Sequence, residues 1–400
     1  MKVNQWTLGL AAVGLVTLPA ALLAEEKMSP LLTAVTPTSI SGAVSTSIQW
    51  APGTGNAFSS PRIYQQGKAD GFNLDVVSLT LDKPLDEGQW ASGYHTDLWL
   101  GPDANTFGSV SAGKGADLAI KQAYVALRAP LGNGLDLKVG VFDSIIGYES
   151  HDSYKDPNYS RSYATSIEPH THTGVLASYQ FSSLVSASAG IANTTSAAVN
   201  SRANPPKAES SKTYMGSVAL TAPDGWGFVS GSTLYAGVVN GFNGSNSNTN
   251  NDLNGTALNL YGGVTLNTPV KGWRFGASYD YASRTKGRSD AWAATVYSSY
   301  QVTEKASLHL RGEYAETDSN AFGTAPAGPI PNGDSELLGV TATVQYDLWK
   351  NVISRLEFIW DHEAGGAQMK RFGGTGDAAT SDGGRVRNRY TIALNVIYRF

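Results

Sequence analysis

The chain has 400 residues, a formal net charge of −4 at pH 7 and no cysteine. This charge excludes a strongly basic nucleic-acid surface, and the lack of cysteine excludes disulfides and thiolate metal sites. After the N-terminal segment, no apolar run approaches the roughly 18 residues of a membrane helix, so a helical membrane protein is excluded. A transmembrane β-barrel is not excluded, because only its outer face must be apolar.

The chain begins with the residue order that is typical of a secretory signal peptide. Lys2 precedes an apolar stretch that ends in a small residue, Ala24. This order predicts a signal peptide at 1–24, whereas an uncleaved membrane anchor is disfavoured because the apolar run is short. Residues 25–38 would then be a periplasmic lead, either flexible or a short plug, and 39–400 would form the main domain.

Apolar and polar residues alternate along the rest of the chain. Leu308 and Leu310, for example, alternate with His309 and Arg311. Since successive strand side chains point to opposite faces, each such strand has one apolar and one polar face. Alternation and turn residues together predict about sixteen strands, with fourteen or eighteen as alternatives. The predicted strands begin near residues 39, 72, 90, 117, 135, 172, 184, 213, 228, 256, 273, 291, 306, 337, 352 and 387.

The connections between these strands alternate in length. Residues 182–183 and 303–305 form short connections, whereas 143–171 and 318–336 are long and rich in Gly, Ser, Asn and Pro. This pattern is expected of a transmembrane barrel, which has short periplasmic turns and longer extracellular loops. A soluble β-sandwich does not require such a separation of loop lengths. We therefore predict an all-β fold, a transmembrane antiparallel up-and-down β-barrel surrounded by the lipids of a bacterial outer membrane.

The last predicted strand supports this location. From residue 390 to Phe400, every even position is apolar or aromatic, while Thr391, Asn395 and Arg399 are polar. Outer-membrane proteins characteristically end on such a strand. This resemblance implies that Tyr398 and Phe400 form a C-terminal signal for the barrel-assembly machinery.

The tryptophans are predicted to form two aromatic girdles, because they fall near strand ends rather than at mid-strand. Trp99 lies two residues after Asp97 and therefore on the same face of the predicted strand, so it is a candidate for the inner face. The short-turn ends carry Trp90, Trp226, Trp273 and Trp349, and the long-loop ends carry Trp50, Trp99, Trp292 and Trp360.

Several short segments stand out between residues 72 and 181, among them 121–125 (KQAYV), 130–135 (PLGNGL), 147–149 (GYE) and 159–163 (YSRSY). Together they resemble the OmpL-like family of β-barrel porins. The resemblance implies an outer-membrane porin, which is a water-filled channel for passive diffusion of small hydrophilic solutes or ions.

A barrel of about sixteen strands is too wide for side chains alone to fill, so it holds a channel unless a loop narrows it. The longest connection, 143–171, is the third long loop, which general porins fold inward as a constriction. Its charged candidates are Glu149, Asp152, Asp156, Arg161 and Glu168.

Arginines on the polar faces of later strands are predicted to line the lumen wall opposite this loop. An acidic loop across from a basic wall would create a transverse field that filters ions by charge. The alternative is that these charges are solvated and have no role in selectivity. The wall candidates are Arg274, Arg311, Arg355, Arg387 and Arg389.

No cofactor or metal is predicted. His170 and His172 share one face of an extended segment and His151 lies in the same loop, but no third ligand is fixed by the sequence. No catalytic motif is present, so an enzyme is not predicted. A closed barrel with a structural or adhesive role and a barrel-embedded hydrolase are the alternatives. A homotrimer is one expected assembly, and no nucleic-acid partner is expected.

Overall fold

In a computed structural model the chain forms a closed antiparallel β-barrel. Residues 38–400 are described, except 55–59, 66–67, 69, 87, 89, 110–116, 203–210, 243–255, 285–288, 318–334, 366–371 and 374–385. The predicted signal peptide and residues 25–37 of the lead lie outside them. Within the described residues, sixteen strands follow chain order around the barrel, and the last pairs with the first. The predicted fold class and strand number are confirmed.

The strands alternate in direction, and the described part of the chain also has a short α-helix, α1, in the connection after the third strand. The strands are β1 (Ser39–Trp50), β2 (Gly71–Lys83), β3 (Ser92–Leu100), β4 (Leu118–Ala129), β5 (Leu135–Asp143), β6 (Thr171–Gln180), β7 (Val185–Ala192), β8 (Thr213–Thr221), β9 (Thr233–Phe242), β10 (Thr256–Asn267), β11 (Trp273–Arg284), β12 (Ser289–Gln301), β13 (Ala306–Thr317), β14 (Ser335–Trp349), β15 (Val352–Glu363) and β16 (Asn388–Arg399), and the helix is α1 (Pro102–Phe107).

Predicted strand starts agree with the structure to within two residues, except at β9. A start near residue 228 was predicted, but β9 begins at Thr233. Residues 227–229 form a 3₁₀ turn instead, and both Gly225 and Gly227 adopt positive φ angles. Glycine allows this left-handed backbone, which interrupts the extended chain and lengthens the connection.

The barrel is closed by pairing of β1 with β16. Ala43 pairs with Arg399, and the N–H groups of Gly42 and Phe400 each donate to the other residue's carbonyl at 3.0 Å. Tyr398 of β16 and Phe400, the residue after it, are exposed on the outer face, and Ile397 is buried. The predicted parity of the last strand is therefore confirmed, because side chains alternate between lipid and lumen.

Most of the described tryptophans lie on the outside at strand ends, as girdles require. Trp50, Trp90, Trp226 and Trp349 are exposed, whereas Trp99 is only 1% exposed and faces inward. No helix in the described part of the chain is long and apolar enough to cross a membrane.

Loop lengths differ between the two ends of the barrel, with one exception. The connection 285–288 between β11 and β12 lies at the long-loop end and has only four residues. The first and third connections at that end are called L1 (residues 51–70) and L3 (residues 144–170). Most L3 side chains are buried, because the loop folds into the barrel and packs against the inner strand faces.

Candidate channel lumen and constriction loop

L3 crosses the lumen from β5 and β6 to the opposite wall. The Ser153 hydroxyl lies 3.4 Å from that of Ser45 on β1, and the Tyr159 hydroxyl donates to Ser47 Oγ at 2.8 Å. Around the sixteen-stranded barrel β1 lies four strands from β5 and β13 lies eight, so the contacts with β1 and those with β13 described below place the loop across the channel and not along one side.

Two opposite charges on β15 hold the backbone of L3. Glu357 accepts hydrogen bonds from the N–H groups of Tyr159 at 2.7 Å and Ser160 at 2.9 Å. Arg355 donates to the carbonyl oxygens of Ser153 at 2.8 Å and residue 158 at 3.3 Å. Irregular backbone inside a barrel has no strand partner, so these side chains supply the donors and acceptors that it needs.

A second set of charges on β13 holds the next part of L3. Arg311 donates to the carbonyl of Ser160 at 2.7 Å and to Glu149 at 2.9 Å. Glu313 accepts the N–H of Tyr163 at 2.7 Å. Hydrogen bonds to ionised groups are stronger than neutral ones, so β13 and β15 together fix L3 in position.

L1 contributes a further arginine to this wall. Arg62 is buried and contacts Glu313 at 2.6 Å and Asp361 at 2.9 Å. It also donates to the carbonyl of Arg161 at 3.0 Å. The Tyr163 hydroxyl donates to Asp361 at 2.7 Å. L1 and L3 therefore share the same wall carboxylates.

Other L3 residues pack against β9 to β12. The rings of Tyr148 and Tyr297 stack with centroids 4.2 Å apart. Gly276 on β11 makes room for this pair, because a Cβ there would overlap the Tyr148 hydroxyl. Asn259 donates to the carbonyl of Ile167 at 3.0 Å. Hence L3 is attached to both sides of the barrel.

All five charged candidates of the loop lie inside the barrel, and four of them contact an opposite charge. Glu149 contacts Arg311, and Arg161 lies 3.5 Å from Asp156. Asp152 lies between Lys155 at 2.6 Å and a lysine of β4, Lys121, at 3.2 Å. Glu168 contacts another acid, Asp280 of β11.

Burial changes the ionisation of several L3 groups. It raises the pKa of Asp156 to about 7, although Arg161 opposes the shift. Burial also opposes ionisation of Asp152, but Lys121 and Lys155 outweigh it and hold its pKa below the usual range. For His170, burial lowers the pKa to about 4, so the ring is neutral at neutral pH.

The wall arginines differ in exposure. Arg311 and Arg355 are each 1% exposed, since their guanidinium groups contact L3. Arg389 is also buried and lies opposite Asp361 across the β15–β16 pair. Arg387 donates to the carbonyl of residue 365. Arg274 alone among these five candidates has an exposed side chain, and it donates to Asn267 at 3.2 Å.

Arg274 lines a cavity of about 1530 Å³ between L3 and the short turns. Loop residues Tyr148, Glu149 and Lys155 border it on one side, and wall residues such as His309 on the other. Its lining therefore mixes aromatic, acidic and basic groups, which suits a solvated passage.

Sequence reasoning missed the residues that anchor the loop. Glu313 and Glu357 share the inner face with Arg311 and Arg355, so parity alone could have placed them in the lumen. Arg62 lies in a loop without regular structure, and no sequence signal indicated its contacts.

The described residues do not form the site that a hydrolase would need. His172 contacts Ser144 at 3.4 Å, but its other ring nitrogen faces the carbonyl of Thr194. His309 lies between the hydroxyls of Ser307 and Ser299. Neither pair includes a carboxylate. In the same part of the chain, no group of three or more His, Asp or Glu side chains is arranged for a metal ion.

A family model named Putative beta-barrel porin-2, OmpL-like matches residues 37–400. The chain belongs to this family of outer-membrane porins. The predicted family, function class and location are therefore confirmed, and the family is one of channels and not of enzymes. A comparison with curated proteins finds no match.

Solved porins have the same fold. The chain is similar to OmpF of Salmonella typhi in a complex with daunomycin (TM-score 0.58, 10% identity), with 91% of this porin and 97% of that chain covered. It is also similar to an anion-selective porin from Comamonas acidovorans (0.57, 12%) and to OmpT of Vibrio cholerae in a trimer form (0.56, 12%), each covering 91% of this porin and 99% of that chain.

Proposed function

We propose that this porin passes small hydrophilic solutes or ions through a lumen that L3 narrows. The observation that carries this proposal is the attachment of L3 to both sides of the barrel, at Ser45 of β1 and at Asn259 of β10. A loop held at both ends of its span sets a fixed size limit for solutes.

The charged candidates then divide into two roles. Arg311 and Arg355 hold L3 against the wall, together with Glu149 on the loop. Arg274 faces the cavity and selects passing ions by their charge, because an exposed charge that lines a passage attracts counter-ions. Arg389 is buried on the inner wall and helps to set the field near the long loops.

Conductance in planar bilayers and swelling of liposomes test the channel. Purified, folded protein should give discrete conductance steps, and small sugars should cause faster swelling than larger ones. Protein that folds but gives neither signal would contradict the proposal.

A closed barrel with a structural role at the cell surface is the second candidate. It is favoured by the same contacts, since L1 and L3 fill much of the described long-loop half of the lumen. The two candidates differ in one measurement, because a closed barrel would give no swelling with even the smallest sugar.

We also propose three properties of the assembled protein. Residues 1–24 are removed as a signal peptide, which the mass of the purified protein tests. Tyr398 and Phe400 form the assembly signal, so Phe400→Ala should reduce the folded fraction in cells. Since the similar OmpT structure of Vibrio cholerae is a trimer form, we propose a homotrimer, which light scattering of the detergent complex tests.

A further inference from the structure

The end of L3 that precedes β6 meets β11 through two carboxyl groups. Glu168 is 8% exposed and Asp280 is 2% exposed. Their side chains face each other inside the barrel, next to the point where Asn259 of β10 donates to the Ile167 carbonyl of L3 at 3.0 Å. No protein N–H group in the described part of the chain donates to either Asp280 oxygen. The contact therefore joins two acids from different elements.

Among the described residues, no cation compensates this carboxyl pair, Glu168 and Asp280. Glu149 and Asp156 of L3 face Glu168 and add negative charge. On the wall, the Ser278 hydroxyl lies next to Asp280, and Tyr261 of β10 lies opposite it in the strand pairing. Within the described residues, neither member of the pair forms an ion pair.

The other L3 acids show the contrast. Glu149 contacts Arg311 at 2.9 Å, and Asp156 lies 3.5 Å from Arg161. Elsewhere, therefore, a cation of the wall or of the loop accompanies these acids. Two buried carboxylates in contact repel each other strongly when both are ionised, so such a pair holds one proton between its members.

We propose that Glu168 and Asp280 share one proton that joins L3 to β11, and that loss of this proton at alkaline pH releases this end of the loop. In the released state both groups are carboxylates, and the proton passes to solvent. The effect on conductance rests on the proposed channel function, whereas the shared proton does not.

The direction of the pH effect follows from linkage. Burial raises the pKa of Glu168 well above its usual value of 4.5, and Asp280 raises it further. The attached state therefore binds a proton that the released state gives up. The contribution of the carboxyl pair to attachment is therefore largest at low pH, decreases as the pH rises above 4.5, and is lost above the raised pKa.

Release should be local. Residues 159–163 stay bound to β13 and β15 through Glu357 and Glu313, which accept backbone N–H groups there. Residues 164–170 are held differently. The polar contacts described between this segment and the wall are the carboxyl pair and the hydrogen bond that Asn259 donates to the Ile167 carbonyl. Only this second segment should respond to alkaline pH.

Hydrogen exchange of the full-length folded barrel in detergent tests the proposal. Between pH 6 and pH 9, after correction for intrinsic rates, residues 164–170 of the wild type should lose protection by more than tenfold, while 159–163 should not. Glu168→Gln should abolish the change, since its amide donates to Asp280 at every pH. Glu304→Gln removes an exposed carboxyl in a short turn and should behave like the wild type.

Four outcomes would overturn the shared proton: no change in the wild type, the same loss in Glu168→Gln, an equal loss in both segments, or restoration of protection at pH 9 by calcium chloride. The last would assign the pair to a divalent cation. Conductance should also rise at pH 9 in the wild type but not in Glu168→Gln. If hydrogen exchange changes with pH as expected but the protein gives no conductance, the shared proton is supported and the proposed channel is contradicted.

Discussion

Replacing Arg311 with glutamine should release the central part of L3. The guanidinium group is buried and donates to the Ser160 carbonyl, to Glu149 and to Glu313. Without it, Glu149 loses its cation, and Glu313 keeps only Arg62. Breaking one partner of a buried ion pair costs about 3–5 kcal/mol.

Hydrogen exchange measures this loss directly. The N–H groups of Tyr159, Ser160 and Tyr163 donate to wall carboxylates, so residues 159–163 report attachment. A loss of about 3 kcal/mol corresponds to at least a hundredfold faster exchange, because about 1.4 kcal/mol is a factor of ten. Single-channel conductance should increase at the same time, since L3 no longer holds its position.

Arg274→Gln is the matched control, because it removes an arginine from the inner wall without a described contact to L3. Equal exchange in Arg311→Gln and the wild type would refute the reasoning, as would an equal effect of both substitutions. If Arg311→Gln does not fold, as judged by heat-modifiable gel mobility, Glu357→Gln is the milder variant, since its amide oxygen can still accept one of the two bonds.

Three further predictions follow from the same contacts. Arg274→Gln should shift the reversal potential toward cations by removing the exposed cavity charge; an unchanged potential would exclude Arg274 from selectivity. Gly276→Ala should displace the Tyr148 ring and destabilise L3 by about 1–3 kcal/mol, measured by exchange, whereas Gly262→Ala, which meets open space, should not. Acidification of Glu168→Gln, in which the carboxyl pair no longer titrates, from pH 6.5 to 4 should loosen the segment around His170, because burial lowers the pKa of His170 to about 4 and protonation places a charge on its buried ring; protection of residues 164–170 that is constant over this range would contradict this.

Sequence periodicity predicted the barrel well, because its cause is local. A strand in lipid must present an apolar face to it. The face on which Leu308 or Arg311 lies is therefore fixed by the position of the residue in its strand. The same rule failed at β9, where Gly225 and Gly227 allow a turn that alternation does not reveal. It also did not predict α1, whose six residues are too few for helical periodicity to be visible.

The contacts of the loop could not be predicted, because they join residues that are distant in sequence. The sequence indicated that L3 is acidic and that the wall carries arginines, and it suggested a field between them. In the structure Glu149 lies 2.9 Å from Arg311, so no water layer separates this pair. Whether opposite charges face each other across water or touch depends on how far the loop folds inward, and alternation contains no information on that distance.

Cross-linking of the loop to β1, at a distance from the strands between which L3 begins and ends, tests the central claim, that L3 spans the lumen. The chain has no cysteine, so Ser45→Cys with Ser153→Cys introduces the only two thiols. Their hydroxyls lie 3.4 Å apart. We expect an intramolecular disulfide to form in the folded barrel of this variant, with single-channel conductance equal to that of the wild type. Free thiols after oxidation, or a conductance that changes when the bond forms, would contradict it.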